Sequence, residues 1–149
     1  MKTFRALTVS QPYASLIARG EKWVENRTWN SIYRGPLLIH AGKGTQFLTR
    51  DELERHPTGQ IIAVVRMTGC LHVAQLQELR KAGRLDPKDL TAAAVLDHEY
   101  TTGPYGWTFA EATPLPEPIP ASGKQGIWVL DRFLAAKAAA VLEKMGAGV

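Results

Sequence analysis

The sequence predicts an α+β fold in which about six strands form one mixed sheet, curved or barrel-like, with helices at its periphery. Three observations support this fold class. Short apolar segments recur along the chain, helical patterns fall between only some of them, and the connections are too short for repeated parallel crossovers. The 149 residues contain neither an internal repeat nor a linker, so we expect one domain over residues 1–149.

The first part of the chain is predicted to contain strands and two helices. Ser10 is a candidate cap for a helix whose first turn contains Pro12, and Gly20 ends that helix. A short polar helix is expected over residues 49–55. The strands expected here are residues 4–9, 23–29 and 37–41.

The second part is predicted to alternate strands with helical segments. The strands expected here are residues 60–73, 105–112 and 127–130. A helical insertion occupies residues 74–98, with Asp86 and Pro87 at the start of its second helix. Every second residue from Pro114 to Pro120 is proline, which predicts an extended segment without a regular ladder. Asp131 caps a helix over residues 131–146.

Composition and charge narrow the class of function. The formal net charge is +4, which favours an anionic partner such as nucleic acid. No segment resembles a signal peptide or could span a bilayer, so we expect a cytoplasmic protein without a membrane partner. Cys70 is the single cysteine, and the four histidines lack the spacing of metal ligands. We therefore expect no metal and no cofactor.

The most informative stretch is residues 20–27, Gly-Glu-Lys-Trp-Val-Glu-Asn-Arg. At fixed offsets from Gly20 it places Lys22, Glu25 and Arg27, three charges of mixed sign in one turn and the strand that follows, which an ordinary alternating strand does not require. Side chains alternate along a strand. The residues expected on one face are Trp23, Glu25, Arg27 and Trp29. Lys22 comes from the turn and is free of this parity, so it can meet Glu25 on that face.

Such a cluster is compatible with three roles. As a binding site, Glu25 accepts hydrogen bonds from an amino group or the N–H edge of a base, while Lys22 and Arg27 bind phosphate or carbonyl oxygens. As a catalytic site, a desolvated Lys22 acts as base or nucleophile. As a purely structural feature, Glu25 and Arg27 form an ion pair on the rim of the sheet and Lys22 is solvated.

Other polar residues near these segments complete the candidate site. Tyr33 precedes a turn and joins Lys22 and Glu25 as a candidate catalytic residue, whereas His40 ends a buried strand and is more typical of a core histidine. The further candidates for ligand contact are Ser10, Gln11, Trp29, Arg34, Lys43 and Lys124. Ser10 and Gln11 precede a helix, where free amides favour anions.

Four segments of the chain, in order, resemble one protein family. They are Ser-Gln-Pro-Tyr at 10–13, Gly-x-Lys-x-x-Glu-x-Arg at 20–27, Tyr-Arg-Gly-Pro-Leu-Leu-Ile-His-Ala at 33–41 and Gly-Lys-Gln-Gly-Ile-Trp at 123–128. This set is similar to the ASCH (activating-signal-cointegrator homology) domain. The resemblance is strongest over residues 6–43 and resumes over 104–130.

The resemblance implies a PUA-like β-barrel with a cleft beside the first helix. It also implies handling of RNA or modified nucleosides, with the charged motif lining the cleft. Two activities are associated with the family: deacylation of N4-acetylcytidine and RNA cleavage by small bacterial members. In the deacylating branch a threonine occupies the position that Glu25 has here, so this chain lacks that nucleophile.

We therefore predict a domain that binds single-stranded RNA or a modified nucleoside in a cleft formed by the Gly-x-Lys-x-x-Glu-x-Arg motif. The alternative is a metal-independent ribonuclease that uses the same cleft. An N4-acetylcytidine-type amidohydrolase is a third hypothesis. The sequence leaves the oligomeric state open.

Overall fold

The computed structural model describes residues 2–146 of the chain. Its strands are β1 (Arg5–Val9), β2 (Val24–Arg27), β3 (Gly35–Ala41), β4 (Gln60–His72), β5 (Tyr105–Pro120) and β6 (Ile127–Val129). Its helices are α1 (Tyr13–Ala18), α2 (Val73–Lys81), α3 (Leu90–Asp97) and α4 (Arg132–Lys144). The strands form one sheet in the order β2-β5-β4-β3-β1-β6. The predicted α+β class with about six strands is confirmed.

The sheet is mixed. β1 pairs with β3 in parallel, with Ala6 opposite Leu38, and with β6 in antiparallel orientation, with Ala6 opposite Trp128. β2 pairs with β5 in antiparallel orientation, with Glu25 opposite Trp107.

Within the described residues, no helix is both long enough and apolar enough to cross a membrane.

The chain divides into two compact units that are discontinuous in sequence. The first comprises Met1–Glu21, Pro36–Arg66 and Glu111–Val149, and the second comprises Lys22–Gly35 and Met67–Ala110.

The core of the first unit is formed by α4 and strand residues packed beneath it. Asp131 caps α4 as predicted, because its side chain accepts a hydrogen bond from the Leu134 amide. Gly146, with φ of 68°, follows the helix in the left-handed conformation that favours glycine. The core residues contributed by α4 are Ala135, Ala138, Val141 and Leu142.

The proline-rich segment is extended, as predicted, but it is part of strand β5, so the expectation that it lacks a regular ladder was wrong. β5 continues to Pro120, with Leu115 and Ile119 buried in the first unit's core. Because the prolines occupy every second position, their missing N–H groups all lie along one edge, and the intervening residues keep theirs for the other edge. Alternation therefore makes proline compatible with a ladder on one side.

Three local expectations were also wrong. Residues 49–55 form hydrogen-bonded turns rather than a helix. Helix α1 begins after Pro12, and the side chain that accepts from an amide of its first turn is that of Gln11, so Ser10 is not its cap. Helix α3 begins after Asp89, whose side chain accepts from the Ala92 amide, while Asp86 accepts from Lys88 in the preceding turn.

The second unit contains β2, α2, α3 and the paired end of β5. Val24, Val73 and Val95 form its small core, and Trp23 packs against them. Helices are present in the predicted insertion, as α2 and α3. This core holds one face of β2 and leaves the other for the charged residues.

Candidate functional site

Lys22 and Glu25 form the buried part of the site, within the second unit. The Lys22 ammonium donates to Glu25 Oε1 at 2.8 Å and also to the backbone carbonyl of Val24. Only 4% of the Lys22 residue surface and 8% of that of Glu25 are exposed. The turn thus folds Lys22 back over the strand, as the sequence predicted, and the alternative of a solvated lysine is wrong.

Arg27 completes the cluster from the far end of β2. Its Nη2 and Nε atoms lie 2.7 and 3.0 Å from Glu25 Oε2. One carboxylate oxygen therefore faces Lys22 and the other faces Arg27. Two cations around one carboxylate leave a formal charge of +1, and the Arg27 side chain is the most exposed of the three at 23%.

Trp107 lies beside Arg27, and Trp29 packs on Trp107. The guanidinium carbon is 5.8 Å from the ring centroid of Trp107, within the range of a cation–π contact. Trp29 meets Trp107 edge to face, with centroids 4.6 Å apart, and accepts the Trp107 indole hydrogen bond at its carbonyl. Trp107 is fully buried whereas Trp29 is 42% exposed. Trp29 lies beyond the end of β2, so the observed strand is shorter than the one predicted over residues 23–29.

The loop that follows Trp29 is stabilised by hydrogen bonds between its own side chains and backbone groups. The exposed Arg34 side chain donates from Nη1 to the carbonyls of Ser31 and Tyr33, at 2.9 and 2.7 Å. The Tyr33 amide donates to the Ser31 hydroxyl. The Arg34 guanidinium thus stays at the surface of the unit that holds the charged cluster.

The remaining predicted ligand contacts belong to the first unit. Gln11 is fully buried: its side chain donates to the Pro57 carbonyl at 2.8 Å and accepts from the Ser15 amide, which is a structural role. Ser10 is half-buried and its carbonyl accepts from Ala14. Lys43 and Lys124 are exposed.

His40 has the structural role that its sequence context suggested. Its Nε2 lies 2.7 Å from the Ala121 carbonyl, which can only accept, so Nε2 carries the proton. Nδ1 is then the acceptor for the Thr8 hydroxyl at 3.2 Å, and Thr8 in turn accepts from the Trp128 indole. Burial lowers the pKa of His40 below its ordinary value, and the charge of Lys43 lowers it further.

His98 lies beside the charged cluster, although no motif or spacing pointed to it. The Trp23 amide donates to His98 Nε2 at 3.3 Å, across 75 positions of the chain. Burial lowers the pKa of His98, and the nearby positive charge of Lys22 lowers it further. Asn26 was also missed: its side chain binds residues 100–103. No sequence spacing links α3 to β2, so only tertiary structure reveals these contacts.

The cluster offers positive charge, an exposed aromatic ring and buried proton donors. Across residues 2–146, no three side chains of His, Cys, Asp or Glu are grouped as metal coordination requires.

Comparison with protein families gives one match that covers most of the chain. The ASCH domain model matches residues 7–118. Among curated proteins, mouse "Activating signal cointegrator 1" is 34% identical over an alignment of 88 residues, and the match covers 48% of this chain and 15% of that protein. The chain therefore corresponds to a small fraction of that relative's length.

Solved structures show the same fold. The ASCH protein from Zymomonas mobilis aligns with a TM-score of 0.55 and 16% identity, over 92% of this chain and 94% of that chain. A point mutant of the same protein aligns with a TM-score of 0.54. At this identity the match establishes the fold alone, and it confirms the predicted PUA-like architecture.

Proposed function

Because the chain belongs to the ASCH domain family, we propose that it binds single-stranded RNA or a modified nucleoside through the cluster of Lys22, Glu25 and Arg27. The observation that carries the proposal is the division of one buried carboxylate between two cations. The cluster keeps an excess of positive charge, next to an exposed indole, where an ordinary strand would bury apolar residues.

Each part of the cluster has a distinct role in this proposal. Arg27, which is partly exposed, binds phosphate or a base carbonyl. Lys22 is buried and adds to the positive potential around Arg27 without being exposed itself. Both oxygens of Glu25 are already engaged, so Glu25 mainly orients the cations, and reading of a donor edge is left to its remaining lone pairs.

Trp29 supplies the stacking surface. Its ring is 42% exposed and is fixed edge to face on the buried Trp107. A base that stacks on a held indole gains about 1–3 kcal/mol without sequence selectivity. Unpaired or flipped bases expose the faces that such stacking needs, and duplexes do not.

The test is the salt dependence of binding to a short single-stranded RNA oligonucleotide. Replacement of Arg27 by alanine is expected to weaken binding and to reduce the slope of log K against log salt by about 0.7 per lost phosphate contact. The matched control is Arg80→Ala, which removes the same charge from an exposed ion pair with Asp97 in the same unit. Equal affinities and slopes for the two variants would refute the proposal.

A ribonuclease that uses the same cluster is the second candidate. The observation that favours it is the 2.8 Å contact between an ammonium and a carboxylate, which places a proton donor and an acceptor together. Tyr33 belongs to the same unit and is the third candidate catalyst. Labelled RNA incubated with a chelator distinguishes the candidates: cleavage that disappears in Lys22→Met supports the enzyme, and binding without cleavage supports the binding domain.

A further inference from the structure

Residues 98–103, here called the clasp, contact the charged segment through Trp23 and Asn26. His98 Nε2 accepts the Trp23 amide hydrogen bond. Asn26 donates from Nδ2 to the Tyr100 carbonyl at 2.8 Å, and its Oδ1 accepts from the amides of Thr102 and Gly103 at 2.9 and 3.0 Å. Four hydrogen bonds therefore connect the clasp to one short strand and the residue before it: three to Asn26 in β2 and one to Trp23.

The position of β2 in the sheet makes these bonds important. β2 has four residues, is the first strand in the sheet order and is paired with β5. A short edge strand with one strand neighbour is weakly fixed by its ladder alone. The clasp contacts Trp23 and Asn26, which stand on either side of the Val24–Glu25 pair, so it fixes the segment that carries both ion pairs.

We propose that the clasp is a positioning element of the ligand site, in which His98 and Asn26 hold β2 so that Lys22 and Arg27 stay divided over Glu25. This inference rests on the proposed function. It also gives the helical segment α2–α3 a role, because α3 ends at Asp97, immediately before the clasp. His98 and Asn26 are positioning residues and do not contact the ligand.

The protonation state of His98 matters for this positioning role. Because a backbone amide can only donate, His98 Nε2 must be unprotonated, and the neutral ring carries its proton on Nδ1. Lys22 and Glu99 are the charged groups that act on this ring, and the rings of Trp23 and Tyr100 pack against it. A protonated ring would lose the Trp23 hydrogen bond and place a second positive charge near Lys22.

The experiment uses the full chain and compares four variants. His98→Ala removes the acceptor, and His98→Gln retains an acceptor that does not titrate in this range. Asn26→Ala removes three hydrogen bonds, and Arg80→Ala is the control on α2. Two measurements are made on each variant: amide hydrogen exchange at Trp23, Thr102 and Gly103, and binding of a short single-stranded RNA oligonucleotide at neutral and mildly acidic pH.

We expect His98→Ala and Asn26→Ala to lower the affinity for RNA about tenfold. Both should also speed hydrogen exchange at the amides of Trp23, Thr102 and Gly103, while the rest of the protein keeps its protection. The wild type is expected to bind more weakly at mildly acidic pH, because protonation of His98 removes the Trp23 hydrogen bond. His98→Gln is expected to bind more tightly than His98→Ala and to lack this loss of affinity at acidic pH. Unchanged affinity in both alanine variants would overturn the proposal. It would also be overturned if His98→Gln bound as weakly as His98→Ala and kept the pH profile of the wild type.

The two measurements separate this inference from the proposed function. If the wild type does not bind the oligonucleotide, the proposed function fails, while faster exchange in the alanine variants still shows that the clasp holds β2. If the wild type binds and the alanine variants bind equally well, the positioning role alone fails.

Discussion

Lys22 and Glu25 form an ion pair in which both side chains are at least nine-tenths buried, with 2.8 Å between Nζ and Oε1. Glu25 has a second cation, Arg27, whereas the charge of Lys22 is met by Glu25 alone among the ion pairs of the described residues. The pair is therefore asymmetric in its dependence on each partner.

Loss of Glu25 should destabilise the protein more than loss of Lys22. Glu25→Leu leaves a buried ammonium without its counter-ion and should lower the free energy of unfolding by about 3 kcal/mol. Lys22→Met leaves Glu25 paired with Arg27 and should cost less. Urea denaturation at neutral pH measures both values, and a larger loss in Lys22→Met would contradict the asymmetry.

His40 should contribute to acid destabilisation. Its pKa in the folded protein is lowered from 6.5, so below that pH the unfolded chain binds a proton that the folded chain resists. Stability is then greatest above pH 6.5 and declines as the pH falls through the window between the two pKa values.

A His40→Gln variant tests this linkage. It should be less stable than the wild type at neutral pH, because it disturbs the hydrogen bonds to Thr8 and Ala121, yet its stability should fall less steeply on acidification. Thermal unfolding from about pH 8 to about pH 5 provides the comparison. Parallel curves for the two proteins would exclude a contribution from His40.

Gly123 should tolerate no side chain. A Cβ there would lie 2.6 Å from Thr8 Oγ1 and 2.8 Å from His40 Cε1, closer than packing allows. Gly123→Ala should cost about 2 kcal/mol through overpacking. The control is Gly44→Ala, where the nearby atoms belong to the end of the Gln46 side chain and can move away. Similar melting temperatures for both variants would disprove the close packing.

The prolines of β5 should protect its edge from other strands. Pro116→Thr restores an N–H group along that edge, and a β-branched residue favours the extended conformation. We expect this variant to remain folded but to self-associate at concentrations where the wild type does not. Sedimentation velocity measures this, with Pro87→Thr, in a turn outside the strands, as the control. Association of both variants alike would assign the effect to proline loss in general.

The elements governed by local chemistry were predictable. Asp131 marked the start of α4 because a capping side chain acts on an amide three residues away. Strand parity placed Glu25 and Arg27 on one face, and their ion pair confirms that placement. In both cases the interacting groups are close in sequence, so the pattern of residues contains the contact.

The contacts that sequence reasoning missed depend on tertiary structure. His98 reaches Trp23 only because α3 ends beside β2, and no periodicity encodes that meeting. The rule that proline breaks a ladder failed from Pro114 to Pro120, because it was applied to both edges when it restricts only one. Residues 49–55 carry helix-forming side chains but contribute mostly short-range turn hydrogen bonds.

Every residue of β2 has a separate commitment. Val24 fills the small core, Glu25 divides its oxygens between two cations, Asn26 binds the clasp and Arg27 lies against Trp107. Few single substitutions in this strand should therefore be neutral. Divergence at these four positions should proceed by compensating pairs of substitutions, with partners found in α2, α3, the clasp, β5 or the charged cluster itself, and single changes should be rare among viable variants.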